Sequence, residues 1–303
     1  MNILAFDVGG TTIKYGIVNE HSEVISKGSV ATPNNEKSFL DTVNKITSTN
    51  QNNFEKISIA MPGFVNKQDS SYLYGANLKY AIDFKKISGF ESSKFSIDND
   101  GNVAAYSEYL LHYSTQFSNL IMLTFGTGIG GGIISGGKLI RGSGSAGEIG
   151  HMLSSKGNKE YLCNCGKIGC FEASTSAAVW TKECKSLTEK YTETELAMKF
   201  SEEKLGSIIF DKSINLNREE LATRDEIITN ISNGLVSLFE VFDNEVFILG
   251  GSMSEKPYDL VILVKEDIKN RFKFPSRVFP QILISTQKGE AGIVGAALIA
   301  QNE

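Results

Sequence analysis

His151, Cys163, Cys165 and Cys170 follow one another as H-x11-C-x-C-x4-C, the spacing of a metal site. One imidazole and three thiolates make a closed tetrahedral set, the usual arrangement for structural zinc, with no position left for water or substrate. Gly166 and Gly169 let the chain turn between ligands. The competing reading is a group of reduced, unligated thiols. Cys184, in the following helical stretch, is expected in the core. Clustering of three of the four cysteines argues against a dispersed disulfide framework and for a cytoplasmic compartment.

Two glycine turns could hold phosphate: Asp7-Val8-Gly9-Gly10-Thr11-Thr12 and Gly126-Thr127-Gly128. Each offers backbone N–H groups and hydroxyls at a hairpin tip, where successive N–H groups form an anion-binding concavity. Asp7 would repel phosphate but suits a hydrated Mg2+. Either tip alone reads equally well as an ordinary hairpin; two of them, one per half of the chain, favour a nucleotide. Gly126 to Gly131 also fits G-x-G-x-x-G, but the glycine-rich run that follows has poor helix propensity, which a dinucleotide fold cannot accept. A P-loop reading of residues 132–138 fails because Leu139 stands where the magnesium-binding Ser or Thr is required.

Asp98, Asn99, Asp100 and Asn102 lie where a strand over residues 95–97 becomes a helix over 103–113. Asp and Asn favour helix N-termini, and Asp98 reads as such a cap. Asp100 has a second use: the macrodipole keeps a carboxylate at a helix start ionised and ready to accept a proton at neutral pH. Phosphoryl transfer to a hydroxyl needs positioning, charge neutralisation and one such acceptor. Asn99 both donates and accepts, which suits a polyol. Glu148 and Glu172 flank the cysteine cluster. Singly each reads as surface charge, but a zinc-fixed loop would turn both towards one pocket, as acceptors for sugar hydroxyls.

The elements that must position these residues alternate. Three strands near residues 3–7, 13–19 and 23–30 form a meander, followed by a helix over 36–47 and a strand over 56–60. A polar connection leads to the 95–97 strand. A second strand–turn–strand unit over 120–135 repeats the N-terminal layout as a weak internal duplication. Helices are expected over 173–190, 193–200, 225–242, 260–272 and 291–300, with strands over 246–249 and 281–285. The alternation predicts an α/β protein. Its expected division is residues 1–115 plus 290–303 as a small domain, and 116–289 as a larger one carrying the zinc loop. The net charge of −5, from 30 basic and 35 acidic residues without a long like-charged block, excludes an electrostatic footprint for nucleic acid. No window approaches the roughly 18 apolar residues of a membrane span, and Asp7 interrupts the apolar start.

DVGGTTIK, IDNDGNVAA, FGTGIGGGI, AGEIGHM, CNCGKIGCFE and GIVGAALIA, in this order over nearly the whole chain, resemble the ROK family of repressors, open reading frames and sugar kinases. The resemblance implies the two-domain actin-like ATPase (ribonuclease H-like) fold, with a cleft between domains and the last helix packed on the N-terminal one. It implies ATP as phosphoryl donor and Asp100 as the base that takes the proton of a sugar 6-hydroxyl. Asn77, Asn99, Glu148, His151 and Glu172 match sugar-holding positions, with His151 giving one ring nitrogen to sugar and one to zinc. Gly9, Gly10, Thr11, Thr12, Gly126, Thr127 and Gly128 match the phosphate loops, and Gly250-Gly251 the turn near adenosine. Thr12 stands where many members carry Lys, with Lys14 two residues on.

The implied activity is a sugar 6-kinase acting on glucose or a glucoside, with N-acetylmannosamine and fructose as alternative acceptors. A sugar sensor or repressor-like protein is the alternative of another class; a repressor needs a helix-turn-helix segment for which the position of Asp7 is expected to leave no room. The family also admits a homodimer.

Overall fold

The computed structural model describes residues 1–75, 78–154, 161–275, 277–287 and 289–303. Strands β1 (Ile3–Val8), β2 (Thr12–Val18) and β3 (Val24–Ala31) form an antiparallel meander. Helix α1 (Glu36–Thr49) returns the chain to β4 (Lys56–Met61), parallel to β1. After a small antiparallel sheet of β5 (Phe64–Asn66), β6 (Ser71–Tyr74) and β7 (Ile82–Asp83), β8 (Phe95–Asn99) pairs parallel with β4 and runs directly into α2 (Asp100–Glu108). A π-helical turn over Tyr109–Tyr113 extends α2.

The second half builds the same sheet again. Strands β9 (Leu120–Phe125), β10 (Ile129–Ser135) and β11 (Lys138–Leu139) are antiparallel neighbours. Four helices follow: α3 (Phe171–Thr175), α4 (Ala177–Lys190), α5 (Glu195–Glu203) and α6 (Arg218–Phe242). Strand β12 (Val246–Gly251), helix α7 (Leu260–Arg271), strand β13 (Gln281–Ile284) and helix α8 (Ala291–Gln301) end the chain. The sheet orders are β3-β2-β1-β4-β8 and β11-β10-β9-β12-β13. In each, the last two strands run parallel to the first of the meander.

Packing explains how the halves are joined. Helix α1 begins where the Asn35 side chain accepts from the Ser38 N–H at 2.9 Å, and it turns Phe39, Leu40, Val43 and Ile46 onto one face of the first sheet, against Leu4, Phe6 and Ile59. The other face, Ile3, Ala5, Val18 and Ala60, receives Ile293, Ala296, Ala297 and Ala300 of α8 together with Val103 of α2. Ala105 and Tyr109, on the opposite side of α2, pack with Met122, Ile134 and Ile248 of the second sheet. Helix α2 is therefore shared by both sheets. The far face of the second sheet carries the largest core, in which buried Trp180 stacks on Phe125 at 5.4 Å and meets Phe210 edge-on at 5.0 Å.

Three expectations need correction. The polar connection after β4 holds the sheet β5-β6-β7; its strands of two to four residues are too short for an alternating pattern to register. The helix expected over 173–190 breaks at extended Ser176, whose hydroxyl accepts from the Val179 N–H at 3.4 Å and starts α4. Helix α6 begins at Arg218 rather than at 225, because Asn217 and Glu220 form a reciprocal capping box ahead of a polar first turn. Among the described residues no helix is long and apolar enough to cross a membrane.

Candidate active site

The junction of β8 and α2 sets the geometry. Asn99 is the helix cap: its Oδ1 accepts from Gly101 N at 2.8 Å and Asn102 N at 3.2 Å, while its Nδ2 donates to the Gly63 carbonyl at 3.0 Å. Asp98, expected as a cap, is instead only 3% exposed and bonded to Asn99 N, Asn102 Nδ2 and Arg141 Nε, at 2.9, 2.9 and 2.6 Å. It points away from the free helix N–H groups, so it cannot cap them. Asp100, one residue into the helix, accepts from Gly101 N at 2.8 Å. A Cβ at Gly101 would lie 2.7 Å from both N and O of Gly131, and one at Gly132 would lie 2.4 Å from the Cβ of Ala105, so Gly101 and Gly132 let the start of α2 press against β10.

Asp100 opens towards solvent but has protein mass on most sides. That burial pushes its carboxyl up to about 7, against the opposing pull of the Gly101 N–H, with the charges of Asp7 and Glu148 adding to the rise. The expectation that the helix start alone keeps Asp100 fully ionised is thus corrected: the N–H acts in the expected direction and is outweighed. Burial also raises Glu148, opposed by His151 and helped by Glu172, and raises Asp7, opposed by Lys14. Asp7, Asp100, Glu148, Glu172 and His151 therefore form one chain of interacting charges.

Both glycine tips adjoin this chain of charges, the first through Asp7 and the second through Glu172. At the first, Gly9 N donates to Thr12 O at 2.9 Å, and Thr32 braces the turn through its hydroxyl to Gly9 O at 2.7 Å and its N–H to Thr11 O at 3.0 Å. Gly10, Thr11 and Thr12 are exposed. Asp7 and Lys14 are cross-strand partners beneath the tip. The Asp7 carboxylate accepts no hydrogen bond among the described residues, and it fills the space beside Gly292 at the start of α8 so fully that a Cβ there would collide with it. A half-buried carboxylate without donors fits a cation.

The second tip is braced from outside its sheet. Ile129 N donates to Glu172 Oε2 at 2.8 Å, Ala178 N to Gly126 O at 3.1 Å, and Gly128 has no room for a Cβ against Glu172. This bracing role of Glu172 was not legible from sequence, since its partner lies 43 residues away. Gly250 and Gly251 end β12 beside Thr124 and Phe125, and Ser252 Oγ donates to Phe125 O at 3.1 Å.

The ligand atoms of His151, Cys163, Cys165 and Cys170 all lie within 4.8 Å of one another. The Cys163 Sγ to His151 Nδ1 distance is 3.7 Å, and Cys165 and Cys170 sulfurs are 3.6 Å apart. A tetrahedron with metal–sulfur bonds of about 2.3 Å has edges of about 3.8 Å, so the set fits zinc. His151 turns Nδ1 to the sulfurs and sets Nε2 3.9 Å from Glu148 Oε2. Asn77 lies outside the described residues. A concavity of about 630 Å³ lined by residues such as Asn44, Phe54, Phe90 and Phe95 is on the α1 side of the first sheet and contains none of these groups.

A model of the ROK family matches residues 3–303. The chain belongs to the ROK family. Among curated ROK relatives, a glucokinase of Streptomyces coelicolor is 29% identical over 316 residues, covering 98% of this chain and 97% of its own. An N-acetylmannosamine kinase of Haemophilus influenzae is 29% identical over 261 residues, covering 80% and 85%. The crystal structure of a ROK glucokinase from Streptomyces griseus with glucose and AMPPNP superposes with a TM-score of 0.80 at 26% identity, covering all of both chains. The fold is the two-domain actin-like ATPase fold.

Proposed function

We propose that this ROK chain is an ATP-dependent sugar kinase that phosphorylates the 6-hydroxyl of a hexose, with glucose or a glucoside as acceptor. The observation that carries the reading is Asp100, raised to about 7 between Asp7 and Glu148 and flanked by two Gly/Thr tips. Relatives named glucokinase and N-acetylmannosamine kinase support the reaction class and leave the acceptor to experiment.

The acceptor hydroxyl hydrogen-bonds to the Asp100 carboxylate. As its oxygen attacks the γ-phosphorus, the bond to the β–γ bridging oxygen breaks, the proton passes to Asp100, and ADP leaves. A base with a pKa near the working pH combines an available carboxylate with useful proton affinity, and such a base contributes roughly 10²–10⁴-fold. Glu148, Glu172 and the Nε2 of His151 accept from or donate to the remaining sugar hydroxyls, with Asn99 and Asn77 completing the ring of polar groups. Gly9 to Thr12, Lys14 and Gly126 to Gly128 hold phosphate oxygens, and Gly250-Gly251 leaves room for adenosine. Asp7 would hold Mg2+, which supplies neutralisation of the phosphate charge. His151, Cys163, Cys165 and Cys170 would hold a structural zinc that orders the loop carrying Glu172.

The test is ADP release from Mg-ATP with glucose, mannose, fructose, N-acetylmannosamine, N-acetylglucosamine and cellobiose in turn. Turnover selective for glucose or cellobiose supports the full proposal. Selectivity for N-acetylmannosamine or fructose replaces the acceptor, and silence across the panel from zinc-loaded protein overturns the kinase.

A further inference from the structure

We propose that Arg141 and Asp98 are a positioning pair that locks the loop bearing Glu148 against the start of α2, and so fixes how Glu148 faces Asp100. Asp98 lies in the last strand of the first sheet, two residues before Asp100, whereas Arg141 follows β11 of the second. Arg141 Nε donates to Asp98 Oδ2 at 2.6 Å, across the two halves of the molecule. The other oxygen of Asp98 accepts from Asn99 N and from Asn102 Nδ2, both at 2.9 Å.

The loop that follows Arg141 returns to the same helix. The Arg141 carbonyl accepts from Gly144 N at 2.8 Å and Ala146 N at 3.1 Å, making it the pivot of a tight loop that ends at Gly147, immediately before Glu148. Gly147 has φ of +97°, and a Cβ there would lie 3.1 Å from Asn102 Oδ1. The loop is thus hydrogen-bonded to α2 at its Arg141 end, through Asp98 and Asn102, and packed against Asn102 at its Gly147 end, where Asn102 Oδ1 makes no hydrogen bond. Neither ionic residue needs to touch the sugar. A nearly buried carboxylate left without its cation would have to reorganise, and the motion reaches Glu148 through seven residues of loop. Arg141 Nη2 also donates to Glu303 Oε1 at 3.1 Å, outside this loop.

The kinetic readout rests on the sugar-kinase reading; a second readout does not. Arg141→Gln should lower kcat/KM for sugar about 10- to 100-fold, the cost of misplacing a binding group by about an ångström, while the ATP KM stays within about twofold. Arg141→Lys should recover part of the loss, and Arg141→Gln combined with Asp98→Asn should cost no more than the worse single variant. In ligand-free protein, hydrogen exchange in Arg141→Gln should rise in both segments 99–108 and 141–148 and nowhere else. Sugar and ATP constants moving together, additive single effects, or unchanged exchange in either segment would overturn the pair. If the unsubstituted enzyme shows no turnover, the kinase reading fails and exchange alone decides the positioning.

Discussion

The two sheets share strand order and direction, yet the rows at their cleft-facing ends differ in charge. In the first, Lys14, Asp7, Ala60 and Asp98 stand side by side across β2, β1, β4 and β8. In the second, the corresponding row is Gly130, Thr124, Gly250 and then Ser285, just beyond β13 and against Gly250. The first row is ionic; the second has no charged side chain of its own, although Glu172 lies against its tip and Glu108 accepts from Ser285 Oγ at 2.8 Å. Under the proposed kinase reading, the negative charges of a nucleotide meet less repulsion at the row with no carboxylate of its own than at the row with two. In the same reading, proton and cation handling fall to the carboxylates of the first. Duplicating the sheet and then varying its rows separates Asp7 and Asp100 from Gly250-Gly251, the turn proposed for adenosine.

The largest expected effect comes from removing the acid of the ionic end. Asp100→Asn should reduce kcat by roughly 10²–10⁴-fold while the sugar dissociation constant, measured by calorimetry, changes little. Its stability should move the other way. Burial raises Asp100 above its unfolded value, so the wild type gains stability from the protonated form at pH 4 and loses that contribution as pH rises through about 7. Thermal melts of wild type and Asp100→Asn should coincide near pH 4 and diverge by pH 8, with the variant higher. Divergence in the opposite direction would show that Asp100 is stabilised as the anion.

Next in size is metal removal, which tests how the tips are supported. The first tip is braced by Thr32 within its own sheet, whereas the second leans on Glu172, which lies beside the cysteine loop. Metal analysis should find about one zinc per chain. Chelation should lower turnover less than Asp100→Asn does and raise hydrogen exchange around residues 126–129 and 161–172, leaving 8–12 protected. Equal loss of protection at both tips would erase the contrast between them.

A smaller effect should follow from making the two rows alike. Thr124→Asp places a carboxylate in the uncharged row, and the ATP KM should rise roughly tenfold, or about 1.4 kcal/mol, with the sugar KM unchanged. An unaltered ATP KM would place the phosphates elsewhere.

These contrasts were unevenly legible in the sequence. The His/Cys cluster and the glycine tips were readable because the residues of each are neighbours along the chain, so spacing alone carries the geometry. The duplication showed faintly, through two strand–turn–strand units, and the paired sheet orders make it plain. Asn99 as helix cap was one of several equivalent Asp and Asn choices until the backbone direction of β8 was known. The Asp98–Arg141 pair and the Glu172 brace each span 43 residues, and no local pattern marks them. Strands β5 to β7 were hidden because only Val65, Tyr72 and Ile82 are buried in them. What was legible was local chemistry; what was hidden was which half of the molecule supports it.

The finest distinction between the halves is electrostatic and can be read without turnover. Burial is the largest cause of the raised Asp100 value, and it is untouched by replacing a neighbouring charge. Asp7, from the ionic row, adds more than Glu148, which reaches Asp100 from the second half. Removing either negative charge makes ionisation of Asp100 easier, so both Asp7→Asn and Glu148→Gln should lower its midpoint from about 7. Carbon-13 chemical shifts of the Asp100 carboxyl, followed against pH in ligand-free protein, give each midpoint directly. The shift should be larger for Asp7→Asn than for Glu148→Gln, and both midpoints should remain above the ordinary aspartate range because burial persists. The reverse order would mean that Glu148 lies nearer to Asp100 in solution, and that the loop it hangs from, rather than the first sheet, governs the proton acceptor.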